Sequence, residues 1–167
     1  MNFPKLKKPT RFGWAYDLVI VLAVIAVAAI GGLVSGGDSD PWYQTLKKPP
    51  FNPPGYAFGI VWPILYVLMA ISAILVRRNV DRFSNARTCF GLFFLQLGFN
   101  LAWSVLFFFF HRPIMSMIDL VCLWLVIVMM AFSFGTHSRI AALLLVPYIL
   151  WVSFAGYLNG MIIVLNG

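Results

Sequence analysis

The chain reads as an all-α membrane protein, a bundle of five transmembrane helices forming a single domain over 1–167. Two observations carry that reading. The sequence is 62% hydrophobic and only 10% charged, with a mean hydropathy of +0.91, whereas a soluble domain is usually about half apolar and about a quarter charged. Its apolar residues fall into five runs, roughly 14–35, 57–76, 88–110, 114–134 and 140–165, each close to the roughly 20 residues that cross a bilayer as a helix. So little chain lies between them that no soluble domain has room.

The first run follows Lys5, Lys7, Lys8 and Arg11 and could be taken for a signal peptide. Its apolar core, the 17 residues from Leu18 to Val34, exceeds the roughly 7–15 of a signal h-region, so it is expected to stay as helix 1. GGLVSGGDSDP then stops the helix with glycines and Asp-Ser-Asp-Pro. The interval 36–56 is the longest polar stretch between spans and the one place where a cap over the bundle could form. Its KKPPFNPPG segment carries four prolines, which fix their own φ and push the preceding residue towards extended geometry. Trp42, Tyr43 and Phe51 in this interval can sit in the interface or turn down over the helix ends.

Helix 2 ends at RRNVDR, a solvated turn; helices 3 and 4 are joined only by His111-Arg112-Pro113, and helices 4 and 5 by GTHSR. With the N-terminus inside, nine basic residues (Lys5, Lys7, Lys8, Arg11, Arg77, Arg78, Arg82, Arg87, Arg139) face the cytoplasm and three (Lys47, Lys48, Arg112) face outward. That asymmetry follows the positive-inside rule, so the net charge of +7 is topological, and no nucleic-acid partner is expected. No internal repeat and no second pair of broken helices, as in inverted-repeat transporters, is visible.

Three spans set a tryptophan at depth, beyond the reach of an interfacial belt, within a stripe of aromatic and amide residues. On helix 2 Phe58, Trp62, Tyr66 and Met69 recur at spacings of 4, 4 and 3; on helix 3 Gln96, Asn100, Trp103 and Phe107 at 4, 3 and 4; on helix 5 Pro147, Trp151, Ala155 and Asn159 at 4 throughout. Amides in lipid seek partners, so Gln96, Asn100 and Asn159 are expected to face inward, bringing the indoles with them. Such walls suit a flat, largely apolar ligand in a mostly apolar pocket; the alternative is plain interhelical packing. Asp119 is the one acid well inside a span. It is either a functional carboxylate or an anion placed near a helix N-terminus and bonded across the bundle. Gly156/Gly160, Gly32/Gly36 and Gly91/Gly98 offer small-residue lines for helix contact and dimerisation.

Other chemistry is thinly represented. Glutamate is absent from the sequence, His111 and His137 fall in loops on opposite sides, and Cys89 and Cys122 lack a CxxC spacing or a histidine partner and read as free core thiols. No metal site and no cofactor is expected, and hydrolytic or phosphoryl-transfer catalysis finds no residues.

The motifs WYxxLxKPxFxPP (from Trp42), FxxxWxxLY (from Phe58), QLxFNxxW (from Gln96), the helix-4 Asp119 and PYxxWxxFAxYLN (from Pro147) resemble the TspO/MBR, or tryptophan-rich sensory protein, family, which includes the mitochondrial translocator protein. The likeness covers essentially 14–165. It implies a five-helix bundle, commonly a homodimer, with a pocket beneath the first loop. Members bind porphyrins such as protoporphyrin IX, heme-like tetrapyrroles, and benzodiazepine- or isoquinoline-type ligands. Animal members bind cholesterol, and some bacterial members promote light-dependent porphyrin breakdown. The resemblance places candidate catalytic tryptophans at Trp62 and Trp151 and lining residues at Tyr43, Asn100, Trp103, Phe107 and Ala155; the stripes and the buried acid add Phe58, Tyr66, Asp119 and Pro147.

Two departures stand out. No basic residue follows Arg139, so the C-terminal sterol motif is missing, although 87–92 fits the reversed pattern. Phe51 stands where bacterial relatives often have Trp. The resulting expectation is a multi-pass receptor or sensor for a tetrapyrrole, in a bacterial cytoplasmic membrane with its N-terminus inside. A light-dependent porphyrin-degrading enzyme and a tetrapyrrole or small-molecule transporter are its rivals.

Overall fold

The computed structural model describes residues 13–80 and 86–167. Lys5, Lys7, Lys8, Arg11 and Arg82, part of the charge asymmetry, lie outside the described residues. All regular structure among the described residues is helical: α1 Gly13–Ser35, α2 Pro41–Thr45, α3 Gly55–Arg78, α4 Arg87–Ser104, α5 Pro113–Gly135, α6 Arg139–Leu144 and α7 Val146–Asn166. Five spans long and apolar enough to cross a membrane result, with α6 and α7 together making the last.

Local chemistry sets the boundaries. α1 is apolar on every side apart from Asp17, whose carboxylate is bonded by the Arg77 guanidinium of α3 and approached by Arg78 at 3.7 Å. It stops where Gly36 and Gly37 take φ of 53° and 55°, a region that glycine enters without steric cost. α4 runs into a π-helical turn, Val105–Phe109, closed by Phe110 N–H to the Val105 carbonyl at 2.9 Å. The span predicted over 140–165 is broken at Leu145, because Pro147 has no N–H to give the carbonyl four residues back.

The interval 36–56 is more ordered than its prolines alone require. It holds a 3₁₀ turn at Gly37–Ser39 and the short α2, whose first turn is capped by Asp40 Oδ1 accepting from Tyr43 N–H at 2.8 Å. Three clasps hold it down. Asp38 Oδ2 accepts from Gly55 N–H at 2.6 Å, the Tyr43 hydroxyl donates to Asn52 Oδ1 at 3.1 Å, and Asn166 of α7 exchanges two bonds with the Lys47 backbone at 2.9 and 3.1 Å. Trp42 also stacks on His111 at 4.4 Å.

α5 packs on α4, α6 and α7, while α1 lies along α3 and α4, and α3 also meets α6. The dense core occupies the end of the bundle away from the cap: Met69 and Ala73 of α3, Phe93 of α4, Ile127, Met130 and Phe134 of α5 and Leu145 at the helix break are all buried. There Ser72 Oγ donates to the Ala141 carbonyl at 2.7 Å, satisfying one polar pair in a dry layer. Cys89 also lies in this half and does have a histidine nearby, contrary to the sequence reading. Its Sγ is 3.1 Å from Ser133 Oγ and 3.6 Å from His137 Nδ1; spacing along the chain could not reveal a contact made by the α5–α6 turn. Of the small-residue lines, Gly156 faces the chain's own interior, where an added Cβ would meet Leu120 at 3.3 Å, whereas Gly32, Gly91, Gly98 and Gly160 face open space.

Candidate functional site

Beneath the cap the bundle is hollow. A cavity of about 820 Å³ lies between α1, α3, the end of α4 with its π-turn, and α7. Its inner walls are aromatic. Phe58, Trp62 and Tyr66 come from successive turns of α3, Trp103 and Phe107 from α4 and the π-turn, and Tyr43 from α2 above. Trp103 and Phe107 stack at 5.2 Å with planes only 15° apart, Trp62 and Tyr66 sit 5.6 Å apart, and Trp42 and Tyr43 pack edge-on to Phe107 at 5.4 and 6.2 Å. Phe107 stands on the π-turn, four residues after Trp103, so the two rings share one side of the helix.

Amides hold these walls in place. Tyr66 donates to Asn100 Oδ1 at 2.7 Å, Asn100 Nδ2 to the Tyr148 hydroxyl at 3.0 Å, and Tyr148 in turn to Gln96 Oε1 at 3.0 Å. A second relay runs from Trp103 Nε1 to Asn159 Oδ1 at 3.3 Å; Ser116 Oγ donates to the same oxygen at 2.9 Å, and Asn159 Nδ2 donates to the Pro113 carbonyl at 2.8 Å. Buried polar chains of this kind fix the orientation of the members they satisfy; the first one ends at Gln96, whose buried Nε2 has no hydrogen-bond partner. Asn100 therefore orients Tyr66 before it offers anything to a ligand.

Among the residues singled out from the sequence, Tyr43, Phe58, Trp62, Tyr66, Asn100, Trp103, Phe107 and Ala155 line the cavity, and Asp119, Pro147 and Trp151 do not. Pro147 is on the outer surface of α7. Trp151 stands behind Phe58, edge to face at 5.6 Å, with its Nε1 buried and unbonded. Asp119 is buried on α5, and its Oδ2 has no hydrogen-bond partner. The contribution of α1, by contrast, escaped the sequence reading: Val24, Ala28, Gly31, Gly32 and Ser35 all reach the cavity. A 3–4 spacing of small residues was the available signal, hidden in a run that is apolar all round.

A five-span helical membrane protein with an aromatic, amide-braced chamber under a clasped connector is the class that these features define. The TspO/MBR family model matches residues 19–165. Over 142 residues the chain is 39% identical to the tryptophan-rich protein TspO of Chlorobaculum tepidum, covering 85% of this chain and 90% of that one. Similarity to the protein of the same name from Archaeoglobus fulgidus is 36% over 146 residues, 87% and 94% of the two chains. With the translocator protein of Bos taurus it is 33% over 131 residues, 78% of each. The chain belongs to the TspO/MBR family and is an integral, multi-pass membrane protein.

Proposed function

We propose that the chain is a membrane receptor for a planar, hydrophobic ligand of the tetrapyrrole type, such as protoporphyrin IX, held in the chamber between α3, α4 and α7. The single observation that supports this most is the set of wall rings: Trp62, Tyr66, Trp103 and Phe107 bound a chamber large enough for a macrocycle, since pockets for drug-sized ligands run about 300–1,000 Å³. Offset or edge-on ring contacts to a conjugated ligand contribute about 0.5–1.5 kcal/mol each beyond area burial. Isoquinoline- and benzodiazepine-type molecules fit the same description, and the homodimeric state of relatives is carried over as part of the reading.

Titrating protoporphyrin IX into the protein in lipid nanodiscs tests it through tryptophan quenching. Saturable quenching should weaken several-fold in Trp62→Phe and Trp103→Phe, which alter cavity walls, and less in Trp151→Phe, which sits one ring behind. Quenching no stronger than in nanodiscs carrying an unrelated helical protein would remove the reading.

A second reading, light-dependent breakdown of the bound porphyrin, is favoured by the order of the rings. Trp62 lines the chamber and Trp151 is reached through Phe58 at 5.6 Å, so an excited macrocycle would have an oxidisable indole at its face and another one ring beyond. Illumination of the complex separates the two. Breakdown that survives the double change Trp62→Phe/Trp151→Phe at the free-porphyrin rate is photobleaching, not catalysis.

A further inference from the structure

α3 turns two stripes towards the cavity. One is the aromatic series Phe58, Trp62 and Tyr66; the other, displaced by one residue and so rotated by about 100°, is Gly59, Pro63, Val67 and Ile71. All four of the second series are exposed on the outer surface even though they line the same cavity as the indoles. α1 faces them with Val21, Ile25, Ala28 and Gly32, of which Ile25 and Gly32 are exposed as well. The cavity is therefore not sealed within the bundle. It continues sideways as a groove between α1 and α3 that opens onto the membrane-facing surface, and below Tyr66 its walls carry only aliphatic side chains, ending at Ile74. From Gly59 to Ile74 the groove follows α3 for about 22 Å at ~1.5 Å per residue, longer than the roughly 15 Å that is half of a ~30 Å hydrocarbon layer.

The far end of the groove is basic. One turn beyond Ile74, Arg77 is engaged by Asp17, which stands one turn before Val21 on α1. Arg78 beside it keeps a side chain 65% exposed and approaches the same carboxylate only to 3.7 Å. Among the described residues, two arginines against one aspartate leave a positive charge where the groove meets the headgroup region. Flexible saturated chain suits the aliphatic walls, and a phosphate suits the exposed guanidinium.

We propose that the α1–α3 groove is an acyl-chain site for an anionic glycerophospholipid, with the headgroup phosphate at Arg78 and one chain running up the groove into the cavity below Tyr66. A bilayer lipid and the chamber ligand then share one continuous space, and the chamber's contents are set partly by the surrounding leaflet. The proposal rests on the membrane-embedded fold and is independent of the tetrapyrrole reading.

The test uses the full chain in nanodiscs containing either phosphatidylglycerol or phosphatidylcholine with a photoreactive diazirine in one acyl chain, without porphyrin, followed by peptide mapping of the adducts. Adducts should concentrate on 21–32 of α1 and 59–74 of α3 over the comparably exposed outer face of α5, at Ile118, Leu125, Met129 and Phe132. The glycerol lipid should label the groove several-fold more than the choline lipid, and Arg78→Gln should abolish that excess. Ala70→Phe, placed in the groove wall, should reduce groove labelling with either lipid. Even labelling of the α1, α3 and α5 surfaces, equal labelling by the two lipids, or an excess untouched by Arg78→Gln would each overturn the assignment. Since Arg78→Gln changes an exposed side chain, the outcome does not depend on whether Ala70→Phe folds.

Discussion

Removing the amide that braces the chamber gives the most direct check on how its walls are held. Asn100→Leu keeps roughly the same side-chain volume but deletes the acceptor of the Tyr66 hydroxyl, at 2.7 Å, and the donor to Tyr148, at 3.0 Å. Tyr148 retains Gln96 as a partner, whereas Tyr66 is left without one. Side-chain hydrogen bonds between membrane helices average about 0.6 kcal/mol and reach about 1.7 in double-mutant cycles, and a buried group left unpaired adds about 1–3 kcal/mol. Asn100→Leu should therefore cost about 1–3 kcal/mol, and Tyr66→Phe about 0.5–1.5 kcal/mol. The double variant should fall short of their sum by about 0.6–1.7 kcal/mol. Reversible unfolding in mixed micelles, titrated with dodecyl sulfate and followed by circular dichroism, measures all three. Additivity within about 0.5 kcal/mol, the behaviour of independent sites, would show that the two residues are not coupled, and the account of the amide as a wall brace would fail.

Two further outcomes follow from glycine positions. At Gly55 an alanine Cβ would run into the Asp38 carboxylate that accepts the Gly55 N–H. Gly55→Ala should weaken the clasp by about 1 kcal/mol and, with porphyrin as the proposed ligand, raise its release rate roughly fivefold in stopped-flow fluorescence, with Asp38→Ala moving it the same way; unchanged rates would mean the clasp does not gate release. On α7, Gly156→Leu presses on Leu120, already 3.3 Å from an added Cβ, and should lower stability by about 1–3 kcal/mol through overpacking. Gly160→Leu, with nothing within 4 Å, should leave monomer stability within about 0.5 kcal/mol, so a thermal melt that ranks the two the other way contradicts the packing of α5 on α7.

The five spans were legible because each is an apolar run long enough to cross a bilayer, and no other solvent suits such a composition. The α3 stripe was legible for a different reason: Phe58, Trp62 and Tyr66 lie within two turns, over which a four-residue spacing drifts by only about 80°. The same spacing misled on the last span. From Pro147 to Asn159 three steps of four residues accumulate a drift of about 120°, so Pro147 ends on the outer surface, Trp151 behind Phe58, and Ala155 and Asn159 at the cavity. The break at Leu145 lies just before this stretch. Periodicity could say nothing about α1, since a helix that is apolar on all faces gives no direction to its small residues. Nor could it reveal the π-turn at Val105–Phe109 or the clasp between Lys47 and Asn166, 119 positions apart, which exist only once the bundle has assembled.

That last clasp bears on how the protein is handled. Asn166 ties the end of α7 to the connector above the chamber through both its carbonyl and its amide nitrogen, and Gly167 follows immediately. A bulky group introduced at or beyond Gly167 would stand one residue from the clasp and pry it open by bulk alone. Ligand affinities measured with such a group in place would then describe a loosened chamber, so a reporter belongs at a position remote from Asn166 and Lys47.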